Sequence, residues 1–442
     1  MKRPCIAAEV TAQLMSRVCW MSVFVLVCWG SSARAASTNP PSLHAAGLIA
    51  TPEPDWAQWR GPYRDGISDE TGLLQAWPEG GPTLIWKIDA LGKGWSCPII
   101  VGETFYITGD VDEDLVIYAF NLDGTPRWKT TNGRYWRTPF PGGRACVTYS
   151  EGRLYHMNAH GRVACLDAES GQEIWAVNVL DHFEGKNIRW AVSECLLVDG
   201  PRVIVTPGGK KALMAALDKR TGETVWTTEP LPDDVVTHSS PILLRYAGRR
   251  QLVNCSAAHG FGVDADTGEL LWTVPVKNRY STNVSTPNYG SGRVFFMTPY
   301  DSLGRQYRLV AQGNDIEAQL TWQSKIDAVT GCAVLVDGML YAAGYDATKT
   351  WHAIDWNTGE TKYESDAFTT GAALYADGRL YVMDQHGAVG LLEPTAEAFK
   401  IHGRFQLVEK RVRDAFAHPV VFGGRLYLRY HDTLYCYDIK RP

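Results

Sequence analysis

The feature that most constrains this chain is a nine-residue phrase that returns along its length. The pattern Asp-x-x-Ser/Thr-Gly-x-x-x-aromatic occurs at Asp167–Trp175, Asp218–Trp226, Asp264–Trp272 and Asp355–Tyr363, with a shortened copy at Asn121–Trp128. Its local physics is that of a β-hairpin. Asp and Ser or Thr side chains bond to turn backbone groups, and glycine supplies the positive-φ position. The aromatic then sits in the outgoing strand and needs a surface to cover it. One copy would be an ordinary turn. Copies about 40 to 50 residues apart define an array in which each unit buries its face against the next.

A second series of turns sets the number of units. Glycine turns at Gly102, Gly152, Gly200, Gly248, Gly292, Gly338, Gly378 and Gly424 each precede a strand rich in β-branched and aromatic residues. Outer-strand aromatics follow at Trp128, Trp175, Trp226, Trp272, Trp322, Tyr363 and Phe405. The unit beginning near His418 has no outer strand after Asp438, whereas Thr83–Ile88 is a strand with its Trp86 and no hairpin before it. The sequence therefore predicts an all-β fold, an eight-bladed β-propeller of four-stranded antiparallel blades. An N-terminal strand completes the last blade and removes the open edge of the array.

The N-terminus has a different character. Lys2, Arg3 and Arg17 precede an apolar run from Val18 to Trp29, and Ala33-Arg34-Ala35 offers a cleavage site. Met15 is an alternative start. The expected organisation is a signal peptide over 1–35, a flexible linker over 36–54, an aromatic lead-in over 55–82 and the propeller over 83–442. No transmembrane segment is expected in the mature chain, because the apolar run is shorter than about 18 residues. Val25-Leu26-Val27 before Cys28 makes a poor lipidation site. An exported protein follows, periplasmic or extracellular, without a lipid anchor and monomeric. A net charge of −5 and the absence of a basic run argue against nucleic acid.

The repeated phrase resembles the tryptophan-docking repeats of the pyrroloquinoline-quinone (PQQ) propeller superfamily. That superfamily holds quinoprotein dehydrogenases and also non-catalytic outer-membrane assembly lipoproteins. The lead-in, with Trp59-Arg60-Gly61-Pro62 and Arg64-Asp65-Gly66, resembles a subgroup of exported PQQ-repeat proteins. The resemblance covers roughly 56–442 and implies the fold far more strongly than an activity. The quinoprotein enzymes carry an adjacent Cys-Cys pair and long insertions, and this sequence has neither. No Ca²⁺-ligand set or catalytic base is placed by motif; Asp301 and the acidic Asp110–Asp114 turn are the remaining carboxylates of note.

Strand order puts the loops between blades and the second hairpin turns on one face, here called upper. That face should carry Trp95, Arg144, Arg189, Trp190, Glu194, His238, Asn283 and His418, with Arg137 beside them. Arg144 and Arg189 would pair with ligand carboxylates, Trp95 or Trp190 would stack, and Glu194 with Asn283 would offer oxygens to a hard cation. The turn histidines His160, His259, His386 and His431 are better read as hairpin residues than as metal ligands, since they lie far apart. Two functions follow. One is a non-catalytic scaffold binding a protein or small ligand on the upper face. The other is an oxidoreductase using PQQ and Ca²⁺ on an alcohol or sugar. A carbohydrate-binding role rests only on exposed aromatics.

Cysteine usage gives no disulfide framework. Once Cys5, Cys19 and Cys28 are set aside, an odd number remains, and no C-x-x-C-H haem motif occurs. Alignment of the blades puts Cys97, Cys146, Cys195, Ser240, Thr286, Cys332, Ala372 and His418 at one register. Small side chains are expected there because the inner strands converge on the axis.

Overall fold

The computed structural model describes residues 43–53, 55–300 and 303–442. The expected signal peptide, residues 36–42 and Pro54 of the linker, and Asp301 lie outside the described residues. Residues 43–53 of the linker are described, and Ile49 and Glu53 bond to blades 4 and 2. The repeated hairpins fold into eight antiparallel sheets arranged in a ring, a β-propeller. Blade 1 shows the pattern: strands Ile99–Val101, Thr104–Val111, Asp114–Asn121 and Pro126–Arg134 follow one another from the axis outward. Innermost strands such as Thr148–Ser150 and Leu197–Asp199 are only three residues long, as convergence at the axis requires. The last blade pairs Val420–Phe422, Arg425–Tyr430 and Thr433–Asp438, and its outer strand is Thr83–Ile88. The ring is thus closed by a strand from the other end of the domain.

The repeated phrase locks several blades to their neighbours, although the Trp272 indole bonds Gln251 within its own blade. Asp218 accepts the amides of Arg220 and Thr221 at 2.8 and 3.0 Å and fixes the turn. Gly222 sits there at φ +78° with the Trp175 ring of the preceding blade lying over its α-carbon. A β-carbon at Gly222 would stand 2.7 Å from that ring, so glycine is required by both conformation and space. The Trp175 indole N–H donates to the Lys219 carbonyl at 3.1 Å. Trp128 repeats the arrangement on Ala168 and Gly171, Trp322 on Trp356 and Gly359. Trp86 of the closing strand donates to Leu122 at 3.0 Å and joins the last blade to the first.

A second lock runs around the axis, at the register of small residues. The Cys97 amide donates to Cys146 Sγ, the Cys146 amide to Cys195 Sγ, the Cys195 amide to Ser240 Oγ and the Thr286 amide to Cys332 Sγ. These side chains are more than space-fillers, since each accepts from the backbone of the neighbouring blade. Just beside them, Thr237, Ser239 and Ser285 hydroxyls donate to the carbonyls of Asn283, Ser285 and Gly331 in the next blade. The inner strands are too short to satisfy their own polar groups, and the neighbours do it instead.

The lead-in fills the axis from the lower side. Asp55 accepts the Gly102 amide and Glu53 the Glu151 amide at lower turns of blades 1 and 2. Trp56 and Ala57 carbonyls then take the Ile100 and Tyr149 amides. Arg64, fully buried, donates to Cys195 O at 2.6 Å and Leu196 O at 3.0 Å. Arg60 reaches Ala333 O at 2.7 Å, and the Trp59 indole reaches Thr286 Oγ1 at 2.9 Å. Ile67–Ser68 adds a parallel fifth strand to blade 7, beside Tyr375–Ala376. Ile49 donates to Leu243 O in blade 4, and Trp59 packs at 4.5 Å on His418 in blade 8. A four-residue helix, Val179–His182, interrupts the loop after blade 2, capped by the Asn178 side chain.

Candidate functional site

The upper loops separate the anticipated residues into exposed stacks and buried braces. Trp95, half-buried before the inner strand of blade 1, lies under the Arg144 guanidinium at 5.4 Å and donates its N–H to Asp414 O at 3.2 Å. Arg144 is itself tied down, donating to the carbonyls of Gly142 at 2.9 Å and Phe140 at 2.5 Å. Burial pulls it to about 10, against the opposing pull of Asp110. Asp110 is only 6% exposed. Burial raises its carboxyl to about 6, while Arg144, the Gly142 amide, Arg429 and Lys93 hold it from rising further.

Arg189 is exposed and stacks over Trp190 at 5.4 Å. Trp190 meets Tyr280 edge-on at 6.1 Å, Tyr280 meets Tyr300 at 4.7 Å, and Tyr300 meets Tyr345 at 6.2 Å. Arg279 lies 5.1 Å over both Tyr280 and Tyr300 and pairs with Asp346 at 2.8 Å. The upper face therefore carries a run of aromatic rings with arginines laid on them. Tyr280, Arg279 and Tyr345 were missed from the sequence; the only local signal is an aromatic within a loop between blades or in a second hairpin turn.

Glu194 and Asn283 face inward and are already bonded. Glu194 accepts the Thr206 amide at 2.9 Å and bonds the Thr206 hydroxyl at 2.7 Å. It is 1% exposed, and burial raises it to about 7 despite those bonds and the Arg64 charge. Asn283 donates to Ser256 O and Ala257 O and accepts from Asn278. Neither presents oxygen to a cation, and the described residues hold no cluster of three metal-ligating side chains. The donor set of a quinone-bound cation is thus absent from the residues the sequence nominated for it. His238 bonds Ser193 Oγ at 3.0 Å and is pushed down to about 3 by burial and by the Arg144 charge. His418 faces the lead-in, its ring tilted against Trp59 with Nε2 3.3 Å from Thr330 O, and burial together with Arg60 holds it near 3.

Of the turn histidines, His160 bonds Tyr135 O at 3.1 Å and His259 bonds Asp234 at 2.7 Å, each a tether between neighbouring loops. Arg137 pairs with Glu113 at 3.2 Å.

Comparison with known proteins places this geometry. The sequence pattern of the family described as outer membrane protein assembly factor BamB matches residues 113–365. The BamB of Yersinia pestis is 25% identical over 254 residues, covering 53% of this chain and 60% of that protein. The 1-butanol dehydrogenase (quinone) of Thauera butanivorans is 29% identical over 147 residues, covering 30% of this chain and 23% of the enzyme. Among solved structures, BamB from Moraxella catarrhalis superposes with a TM-score of 0.56 at 15% identity, covering 81% of this chain and 98% of that one. Quinohemoprotein alcohol dehydrogenase from Comamonas testosteroni gives 0.59 at 14% identity, covering 88% and 81%. These structural likenesses speak to the fold, and the match to the curated Yersinia relative spans 60% of its length, less than two thirds. Over more than half its length the chain carries the family pattern: it belongs to the BamB family of PQQ-type repeat propellers.

Proposed function

We propose that this protein is an exported binding scaffold whose upper face holds a protein partner, as an assembly factor would. The observation that carries the reading is the division just described. Glu194 and Asn283, the oxygens nominated for a cofactor cation, are consumed inside the blades, while Arg189, Trp190, Arg279 and Tyr280 stand on the surface. Arginine stacked on aromatic rings supplies contact area and cation–π attraction together, a combination enriched at protein interfaces. The BamB relatives, named for outer-membrane protein assembly, favour the same reading. Among the described residues no helix is long and apolar enough to cross a membrane.

The test is site-specific photo-crosslinking with the probe at Tyr280 on the upper face and at Val225, which is 53% exposed on an outer strand. Discrete protein adducts at Tyr280 that Arg279→Glu abolishes are expected. Adducts absent from Tyr280, or equal at both positions, would refute the scaffold reading. The oxidoreductase alternative is checked by titrating PQQ and Ca²⁺ against tryptophan fluorescence. Saturable, stoichiometric quenching lost in Arg144→Ala would revive it.

A further inference from the structure

An open depression lies away from the axis, on the outer part of the upper face between blades 1 and 2. It measures about 360 Å³ and is lined by Glu113, Arg134, Tyr135, Trp136, Arg137, Thr138 and His160. That volume lies within the range of about 300–1,000 Å³ seen for ligand sites. The lining comes from a second hairpin turn of blade 1, the loop leaving its outer strand, and the matching turn of blade 2.

The groove is preformed. Tyr135 N donates to Glu113 O at 3.1 Å, and His160 Nε2 donates to Tyr135 O at 3.1 Å. Beneath them Asn132 is buried, its carbonyl accepting from Asn158 at 2.8 Å and its side chain from Arg162 at 2.6 Å. Asn158 in turn accepts the amides of His160 and Arg162 and shapes the blade 2 turn. Loop and turn are therefore held in place by one polar network.

Its chemistry is donor-rich and aromatic. Arg134 and Arg137 flank Glu113 at 3.9 and 3.2 Å, with side chains 81% and 71% exposed. Two guanidiniums thus share one carboxylate, and Glu113 is the only acidic residue in the lining. Trp136 packs against the His160 ring at 5.3 Å, and its indole N–H is buried with no hydrogen-bond partner among the described residues. An exposed arginine pair alone would be ordinary surface. A groove held open by a polar network, with aromatic walls beside the paired guanidiniums, is what sets this place apart.

We propose that this groove takes an acidic peptide segment of the protein partner, with carboxylates on Arg134 and Arg137 and an aromatic side chain against Trp136 and Tyr135. The assignment rests on the scaffold reading and names the partner's chemistry. Arginine offers paired donors in a planar fork that matches carboxylate geometry, and indole and phenol rings give the specificity of shape.

The test is fluorescence anisotropy of the full-length protein with a fluorescein-labelled peptide of alternating Glu and Phe, beside a Lys and Phe counterpart. Binding of the acidic peptide alone is expected, weakened by salt, and reduced about tenfold or more by the double variant Arg134→Glu/Arg137→Glu. Trp136→Ala should also weaken it, while Val225→Glu on an outer strand leaves it unchanged. Equal binding of the two peptides, or indifference to the arginine changes, would overturn the proposal. So would full displacement by millimolar inorganic phosphate, which would mark a simple anion site. Unchanged melting temperatures of the exposed arginine variants separate lost binding from lost fold. Crosslinks at Tyr280 without groove-dependent peptide binding would sink this inference and leave the scaffold reading standing.

Discussion

At the scale of single residues, the informative groups are those whose burial conflicts with their charge. Glu194 is held near 7 where an ordinary carboxyl titrates near 4.5. A folded pKa above the unfolded one means the native state holds its proton more tightly. Stability linked to this group is therefore full below pH 4.5, declines as pH rises towards 7 and is lost above it. Glutamine can keep the geometry, its oxygen accepting the Thr206 amide and its nitrogen donating to the Thr206 hydroxyl. Glu194→Gln should flatten the stability–pH profile between pH 4.5 and 7 and stabilise the protein at pH 8 by up to about 3 kcal/mol. Urea denaturation at stepped pH reads this directly, and parallel profiles for the two proteins would count against it. The sequence put Glu194 on a functional face because its position between blades is where ligand groups sit. Which way the side chain turns was not legible, as that depends on Thr206 in the next strand.

At the scale of elements, the hairpin phrase was legible because its parts are local. Asp, Thr and Gly set the turn by their own chemistry, and the spacing of the aromatics counts the blades. The closing strand was legible for the same reason, as a strand with a Trp and no partner. What the sequence did not disclose were contacts made by residues of no fixed spacing: the sulfur and hydroxyl acceptors around the axis, the fifth strand at Ile67–Ser68, and the aromatic run from Trp190 to Tyr345. The blade lock makes its own prediction. Gly222→Ala places a methyl 2.7 Å from the Trp175 ring at a φ of +78°. The cost should exceed the roughly 1 kcal/mol typical of a left-handed position, because the ring must also move. Trp175→Ala should destabilise by about 3 kcal/mol or more, and the double variant by much less than the sum, since each removes the same contact. Additive losses in a chemical-denaturation cycle would show that ring and glycine do not depend on each other.

For the whole molecule, the ring and the segment that runs along its axis are tied together at every blade. Each blade touches only its neighbours, as in other repeat arrays, and alone such a ring would let stability vary from blade to blade. The lead-in changes that, because residues 47–67 bond or pack against every blade from within. Arg64 is central to this. Its guanidinium is fully buried, burial draws it down to about 10, and its donors satisfy Cys195 O and Leu196 O in blade 3 and Gln58 within the lead-in itself. Arg64→Met fits the space without the donors; Leu196 O keeps the Thr148 hydroxyl at 2.6 Å, but Cys195 O loses its donor, at a cost of about 1–3 kcal/mol for that buried group. If the lead-in acts as an axle, loosening it at blade 3 frees the contacts it makes elsewhere. Hydrogen exchange should then quicken in the inner strands of blades 6, 7 and 8, at Val334–Val336, Gly371–Ala376 and Val420–Phe422, as well as at Leu197–Asp199. Faster exchange confined to blade 3 would mean that the blades respond independently and that the axle only fills space.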